Sequence, residues 1–177
     1  GLRGMHNVSN ILAAAAAATF LQLPIESIRE SARTAKAPRH RLQFIAEIGG
    51  VSYYNDSKAT NIDAVLHALN SFSEPIVLLA GGRDKNSPFA QFADRVRPKL
   101  KQLIVFGEAA DTIAGTWGDG VETRRVAGMA EAVAAASAAA APGDVVLLSP
   151  ACASFDQYAN YEERGDDLIA RVEALGK

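Results

Sequence analysis

The chain has 177 residues, of which 49% are hydrophobic and 21% charged, and its formal net charge is −2. This balance is typical of a globular protein, and without a basic excess nothing favours nucleic acid as a partner. The single cysteine, Cys152, excludes an internal disulfide and is typical of a reducing compartment, so we expect a cytoplasmic location.

The first predicted element is a helix over residues 7–23, with Asn7 or Ser9 available as its N-cap. Its apolar part, residues 11–23, is similar to the core of a signal peptide. It is shorter than the about 20 apolar residues that a membrane span needs. We therefore interpret it as a packed helix and expect no membrane partner.

A second helix is predicted from Pro24 to about residue 34, followed by a linker at residues 36–38. Two short helices cannot enclose a core of their own. We therefore expect residues 1–38 to be the end of a domain that begins before this chain, with apolar faces that are unusually exposed. The start of the chain, which enters a helix almost at once, favours a cut within a larger protein or a tag remnant.

Residues 39–177 show a different pattern, that of a second domain of about 140 residues. Strands at 42–48 and 51–55 flank Gly49-Gly50, which predicts an antiparallel hairpin. Helices and apolar strands then alternate, which predicts an α/β Rossmann-like fold with a mostly parallel sheet and helices on both faces. The predicted strands are 76–80, 102–106, 121–125 and 145–149, and the predicted helices start near Ile62 and cover 89–96, 109–115, 129–140 and 161–175.

Ligands of such sheets bind at the carboxyl ends of the strands, so the segments that follow the strands are the candidate site. They are residues 56–61 (DSKATN), 81–85 (GGRDK), 107–108 and 149–154 (SPACAS). We expect them to gather at one edge of the sheet.

Each segment has a plain structural alternative. Residues 56–61 suit an anion at a helix start, and equally a helix capped by Asp56 or Ser57. The GGRDK segment by itself favours a polar turn, in which Asp84 and Lys85 pair with each other or face a substrate. Ser154 is predicted to lie in an anion cradle at a helix start. Cys152 has no evident activating partner and is interpreted as a buried structural thiol.

Metal binding by this chain is poorly supported, because there is one cysteine and no pair of histidines at ligand spacing. The sequence also has no Gly-x-x-x-x-Gly-Lys-Ser/Thr loop. If ATP is used, its main phosphate cradle and its Mg²⁺ ligands are expected outside this chain.

Together these segments resemble the Mur ligase family, over essentially the whole chain and in order. DSKATN, where sister ligases typically carry an Asp-Tyr-Ala-His type sequence, resembles the branch that adds D-glutamate. The segments that carry the resemblance are HNVSN (6–10), HRLQF (40–44), NDSKATN (55–61), LLAGGRDK (78–85) and LSPACASFDQYANYEERGDDL (148–168).

The resemblance implies roles for individual residues. Asn7 and Asn10 would contact the adenine side of ATP, in helices that belong to the central ATP-binding domain. Arg41 and Asp56 would reach the adenine and ribose region of ATP.

Lys58 and Thr60 would be catalytic residues near the phosphates or the acyl-phosphate. Lys58 would also bind ATP. Lys85, Ser154 and Tyr161 would hold D-glutamate, whose two carboxylates call for a cation and hydroxyl or backbone donors. Tyr161 takes a position where the family often has phenylalanine, and either ring can wall a pocket.

The implied activity is ATP- and Mg²⁺-dependent addition of D-glutamate to UDP-N-acetylmuramoyl-L-alanine through an acyl-phosphate, in peptidoglycan synthesis. We expect a monomer, and we expect the 177 residues alone to be inactive. Two alternatives stay open: a sister Mur ligase or folate polyglutamate ligase, and a non-catalytic Rossmann-like binding module.

Overall fold

The computed structural model describes residues 5–35 and 38–177. The chain divides into two units, Gly1–Arg39 and His40–Lys177. The predicted linker lies largely outside the described residues, at Lys36 and Ala37. That the first unit is the end of an ATP-binding domain stays a prediction.

The first unit has two helices, α1 (Met5–Phe20) and α2 (Ile25–Thr34). The predicted N-cap at Asn7 or Ser9 is wrong, because the helix is already formed at Met5 and runs through both residues. Helix α2 has no buried residue, and in α1 Leu12 is 64% and Phe20 is 88% exposed. The expected exposure of apolar side chains in this segment is confirmed.

The second unit is built on a six-stranded sheet in the order β1-β2-β6-β3-β4-β5. All neighbouring pairs are parallel except β1 and β2, which form the predicted antiparallel hairpin. Gly49 and Gly50 both have positive φ, at 59° and 78°, as a tight two-residue turn requires. The strands are β1 (Gln43–Ile48), β2 (Val51–Asn55), β3 (Ile76–Gly81), β4 (Leu100–Phe106), β5 (Glu122–Arg125) and β6 (Val145–Ala151).

Five helices cover the two faces of this sheet. They are α3 (Ile62–Leu69), α4 (Phe89–Val96), α5 (Ala110–Trp117), α6 (Met129–Ala139) and α7 (Tyr161–Leu175). Alternate residues of a strand point to opposite faces, so β3 contributes to two cores. Leu78 packs in the core with α3, α4 and α5, whereas Leu79 packs in the core with α6 and α7. The predicted α/β fold with helices on both faces is confirmed.

The predicted elements recur in the predicted order, with ends that differ by up to three residues. Strand β6 is longer than predicted and includes Pro150 and Ala151, because Ala151 still pairs with Gly81 of β3. Within the described ranges, no helix is long and apolar enough to cross a membrane.

Candidate functional site

The carboxyl ends of β2, β3 and β6 lie side by side, because these three strands are neighbours in the sheet. The segments that follow them are DSKATN, GGRDK and CASFDQY. Two backbone hydrogen bonds join Arg83 of the second segment to Ala153 of the third. The Arg164 side chain donates to Ser57 of the first segment, Gly81 of the second and Cys152 of the third. The predicted gathering at one sheet edge is therefore confirmed.

Asp56 is 7% exposed, and both of its carboxylate oxygens accept hydrogen bonds from the protein. Oδ1 accepts the N–H of Leu42 at 3.1 Å, and Oδ2 accepts the hydroxyl of Ser149 at 2.9 Å. Burial raises the pKa of Asp56 from 3.8 to about 7, against the lowering effect of these two bonds and of Arg41. Asp56 thus joins the start of the second unit to the end of β6.

The predicted capping role of Asp56 or Ser57 is wrong. Helix α3 begins later, at Ile62, and its N-cap is Asn61, whose side chain accepts the N–H of Ala64 at 2.9 Å. Residues 56–60 are therefore a loop before the helix. Lys58 is exposed in this loop, and Thr60 is half-buried.

The GGRDK segment lies close against its neighbours. A Cβ on Gly81 would stand 1.9 Å from the carbonyl oxygen of Phe106, and one on Gly82 would stand 2.2 Å from that of Ala153. Both glycines also have φ above +120°, where L-residues are strained. Only glycine allows this approach of the three strand ends.

Arg83 connects this segment to two others. Its backbone exchanges two hydrogen bonds with that of Ala153, at 2.8 and 3.1 Å. Its exposed guanidinium forms a bidentate pair with Glu108, at 3.0 and 2.9 Å. Asp84 accepts the N–H of Ser87 at 2.9 Å, whereas the side chain of Lys85 is exposed to solvent.

Ser154 is buried, but it does not begin a helix, and that prediction is wrong. Helix α7 starts seven residues later at Tyr161, and its N-cap is Asn160, which accepts the N–H of Glu163 at 2.7 Å. The carbonyl of Ser154 instead accepts the N–H groups of Gln157 and Tyr158 in a turn.

Cys152 is a free, buried thiol. Burial raises its pKa to about 12, with a further contribution from Asp84. At neutral pH it is protonated and poorly nucleophilic. The interpretation as a structural thiol is consistent with these observations.

Tyr161 joins the DSKATN loop to α7. The ammonium of Lys58 lies 5.4 Å from the centroid of the Tyr161 ring, which is cation–π distance. The ring of buried His40 meets the Tyr161 ring edge-on at 6.1 Å. A hydrogen bond donated by the Tyr161 side chain lowers the pKa of the neighbouring Glu162 carboxyl group. Two predicted residues, Lys58 and Tyr161, are thus brought together directly.

Arg164 is a central residue of this edge that the sequence analysis missed. It is 0% exposed, and its guanidinium donates to the loops after β2, β3 and β6. A signal was present in the sequence, because Arg164, Leu168 and Val172 are spaced by four and form one face of a helix. That face is buried at all three positions.

The predicted ATP-contacting residues belong to both units. Asn7 and Asn10 are three residues apart in α1, so they share one side of that helix. Arg41 is exposed at the start of the second unit, next to Leu42, which Asp56 holds. In residues 5–35 and 38–177, no three His, Cys, Asp or Glu side chains group in a way that could hold a metal ion.

Similarity to known proteins covers the whole chain. Residues 40–152 match the family described as Mur ligase, glutamate ligase domain. The UDP-N-acetylmuramoylalanine–D-glutamate ligase of Pelotomaculum thermopropionicum is 50% identical over 179 residues, which cover 100% of this chain and 39% of the relative. The ligase of the same name from Acidobacterium capsulatum is 49% identical, over 95% of this chain and 37% of its own length. The chain therefore spans well under half the length of these relatives.

Solved structures of more distant proteins share the fold. UDP-N-acetylmuramate–alanine ligase from Thermotoga maritima superposes with a TM-score of 0.73 at 16% identity, over 98% of this chain and 39% of that one. Folylpolyglutamate synthase from Mycobacterium tuberculosis superposes with a TM-score of 0.68 at 14% identity, over 97% and 40%. From the family match at residues 40–152 and the relatives at 49–50% identity, the chain belongs to the Mur ligase family.

Proposed function

We propose that this chain is the amino-acid-receiving part of an ATP-dependent ligase that adds D-glutamate to UDP-N-acetylmuramoyl-L-alanine. Relatives with that name are 44–50% identical to it. The observation that carries the proposal is the joining of the loops after β2, β3 and β6 at one edge. This reaction is a step of peptidoglycan synthesis, in the cytoplasm.

In this proposal Lys85, Ser154 and Tyr161 bind D-glutamate. The exposed ammonium of Lys85 and the hydroxyl of Ser154 suit its two carboxylates, and Tyr161 walls the pocket. The segments of Lys85 and Ser154 are joined by the paired backbone bonds of Arg83 and Ala153. Binding in this way fixes the direction of the amine of D-glutamate. The entropic part of the barrier to amide formation is then lower.

Lys58 and Thr60 act next to the amino-acid site in this proposal. The cation of Lys58 lies 5.4 Å from the ring centroid of Tyr161, so it is near the proposed D-glutamate position. A cation there stabilises negative charge on the acceptor carbonyl as the amine attacks. The hydroxyl of Thr60 adds a donor on the same loop.

Arg41, Asp56, Asn7 and Asn10 are the proposed contacts to the adenosine part of ATP. Asp56 also holds Leu42, so it orients the neighbouring Arg41. ATP supplies the phosphoryl group that activates the acceptor's terminal carboxylate as an acyl-phosphate. The proposal places the main phosphate cradle and the Mg²⁺ ligands outside this chain, as the resemblance to the family implies.

Two other functions fit the same fold. A sister Mur ligase or a folate polyglutamate ligase would share the sheet edge, and their similarity at 14–16% identity concerns the fold alone. A non-catalytic binding module would share it as well. The names of the relatives at 44–50% identity favour D-glutamate over both.

A chimera tests the proposal. The portion of the Pelotomaculum thermopropionicum ligase that matches this chain is replaced by the 177 residues. We expect ATP-dependent incorporation of D-glutamate into UDP-N-acetylmuramoyl-L-alanine, with D-glutamate preferred in competition against L-alanine, L-lysine and L-glutamate. A folded chimera that prefers another amino acid, or joins none, contradicts the proposal.

Variants of the chimera test the residues. Lys85→Ala and Ser154→Ala remove charge-assisted bonds and are each expected to raise the KM for D-glutamate by about 10- to 100-fold. Lys99→Ala is the matched control, because exposed Lys99 directly precedes β4 at the opposite edge of the sheet. Its KM should stay within about twofold. Unchanged kinetics in both Lys85→Ala and Ser154→Ala would favour the binding module.

A further inference from the structure

Arg164 is a buried cation with only neutral hydrogen-bond acceptors. Nε donates to Oγ of Ser57 at 2.9 Å, and Nη2 donates to the carbonyls of Ser57 and Cys152 at 2.9 and 3.1 Å. Nη1 makes longer contacts of 3.4 Å to the carbonyls of Gly81 and Ala153. Among the described side chains, no carboxylate forms an ion pair with this guanidinium.

A buried charge without a paired countercharge is costly, and proteins usually avoid it. Burial lowers the pKa of Arg164 to about 10, so the group is still charged at neutral pH. The carboxylate of Asp156 attracts the Arg164 guanidinium from beyond hydrogen-bonding distance. That carboxylate accepts the backbone N–H of Glu108. A positive charge in this poorly screened position extends its potential to the loops above it.

The atoms that accept hydrogen bonds from Arg164 lie in or next to the loops that carry the proposed D-glutamate site. Ser57 precedes Lys58, Gly81 ends β3 directly before the loop of Lys85, and Ala153 precedes Ser154. Tyr161 lies three residues before Arg164 in α7, and its carbonyl accepts the Ser57 hydroxyl at 2.8 Å. One guanidinium thus links all the segments from which the site is built.

We infer that Arg164 is a positioning and specificity-determining residue of the amino-acid site. Its planar fork fixes the three loops relative to one another. Its unpaired charge beneath them favours an amino acid with two carboxylates over one with a side-chain carboxamide. This inference rests on the proposed function and assigns a role to a residue that makes no contact with substrate.

The two parts of this role can be separated, because arginine and lysine differ in shape but not in charge. Arg164→Lys keeps a cationic group and loses the planar fork that reaches all three loops; its kinetics are measured at several pH values, because a buried ammonium loses its proton more readily than a guanidinium. Arg164→Gln removes the charge as well. The readouts, in the ligating chimera, are the KM values for D-glutamate and ATP and the ratio of kcat/KM for D-glutamate to that for D-glutamine.

We expect Arg164→Lys to raise the KM for D-glutamate about tenfold, with the KM for ATP within about twofold and the ratio retained. Arg164→Gln should raise this KM further and lower the ratio about tenfold, through its effect on D-glutamate. Arg171→Gln is the matched control, since it removes the same charge from the same helix at a half-buried ion pair with Asp167 that lies outside the three loops. It should leave both values within about twofold.

A purely structural role makes a different prediction. It would lower the melting temperature and the kcat for all substrates in both Arg164 variants, and leave the ratio unchanged. That result, or an unchanged KM for D-glutamate in Arg164→Gln, overturns the inference. A wild-type chimera that does not ligate D-glutamate overturns the proposed function instead.

Ser57→Ala serves if the Arg164 variants do not fold. It removes the hydroxyl between Arg164 and the carbonyl of Tyr161 and keeps the buried charge. We expect the KM for D-glutamate to rise about threefold to tenfold with the D-glutamate to D-glutamine ratio unchanged. An unchanged KM in a folded Ser57→Ala chimera contradicts the positioning role.

Discussion

Asp56 connects two sections of chain that are far apart in sequence. It holds Leu42 on one side and Ser149 on the other, from a position that is 7% exposed. Its ionised form is disfavoured in the folded state, since burial raises its pKa to about 7 from 3.8. The favourable contribution of the neutral group is therefore present in full below about pH 4 and is lost as pH rises through about 7.

Asp56→Asn should remove this pH dependence, so that the free energy of unfolding differs from that of the wild type by an amount that changes with pH. The amide has the same shape, offers an acceptor to Leu42 and a donor to Ser149, and does not ionise. Relative to wild type, the variant should gain stability between pH 4 and pH 7, by at most about 4 kcal/mol. Denaturant unfolding at several pH values, followed by the fluorescence of buried Trp117, the one tryptophan of the chain, measures it.

Asp63→Asn is the control for this experiment, because it removes an exposed carboxylate from the start of α3. Its difference from wild type should vary with pH by less than about 0.5 kcal/mol. A difference between Asp56→Asn and wild type that is constant from pH 4 to pH 8 would contradict the raised pKa.

At the scale of elements, two helices contain glycines with opposite surroundings. In α5, a Cβ on Gly115 would meet no atom within 4 Å. In α7, a Cβ on Gly165 would stand 2.2 Å from Nδ1 of His40 and 3.0 Å from Nδ2 of Asn55. The His40 ring is itself buried and lies 3.0 Å from that Asn55 nitrogen, so it has little room to move.

The same substitution should therefore have opposite signs in the two helices. Gly115→Ala should raise the free energy of unfolding by about 0.5 to 1 kcal/mol, the ordinary gain of alanine in a helix. Gly165→Ala should lower it by about 1 to 3 kcal/mol, because α7 must move away from His40. Urea unfolding followed by circular dichroism and by Trp117 fluorescence compares them, and equal signs would contradict the close packing of α7.

At the scale of the whole molecule, the two units differ in how much backbone they protect. Strand β3 is buried at every position, with a strand on each side. Helix α2 has no buried residue. Local opening of α2 therefore exposes almost no new apolar surface, whereas opening of β3 requires the sheet to come apart.

Amide hydrogen exchange of the 177-residue chain should show this difference residue by residue. We expect the amides of β3 and β6 to be protected at least about a hundredfold more than those of α2. Mass spectrometry of peptic fragments or NMR measures it under conditions in which the fold is intact. Equal protection of α2 and β3 would contradict the description of the first unit as a pair of helices without a buried core.

The sequence by itself was enough to identify the local and periodic features of the fold. These features are the continuous apolar strands, the Gly49-Gly50 turn and the 3.6-residue periodicity of the helices. They depend on residues that are close together along the chain, so the order of elements and the parallel sheet could be predicted from them. The motif segments indicated the family. The segments that end strands were also correctly expected to share one edge, because parallel strands all end on the same side.

Only the tertiary structure shows which side chains lie at that edge and which groups they bind. The N-cap of α3 is Asn61 and not Asp56 or Ser57, and α7 is capped by Asn160, because capping depends on backbone geometry at the helix start. Asp56 turned out to bind protein donors 14 and 93 residues away. The spacing of Arg164 indicates its buried face, but its role arises from carbonyls that the order of the strands brings within its reach. Long-range contacts of this kind follow from packing, which no local pattern encodes.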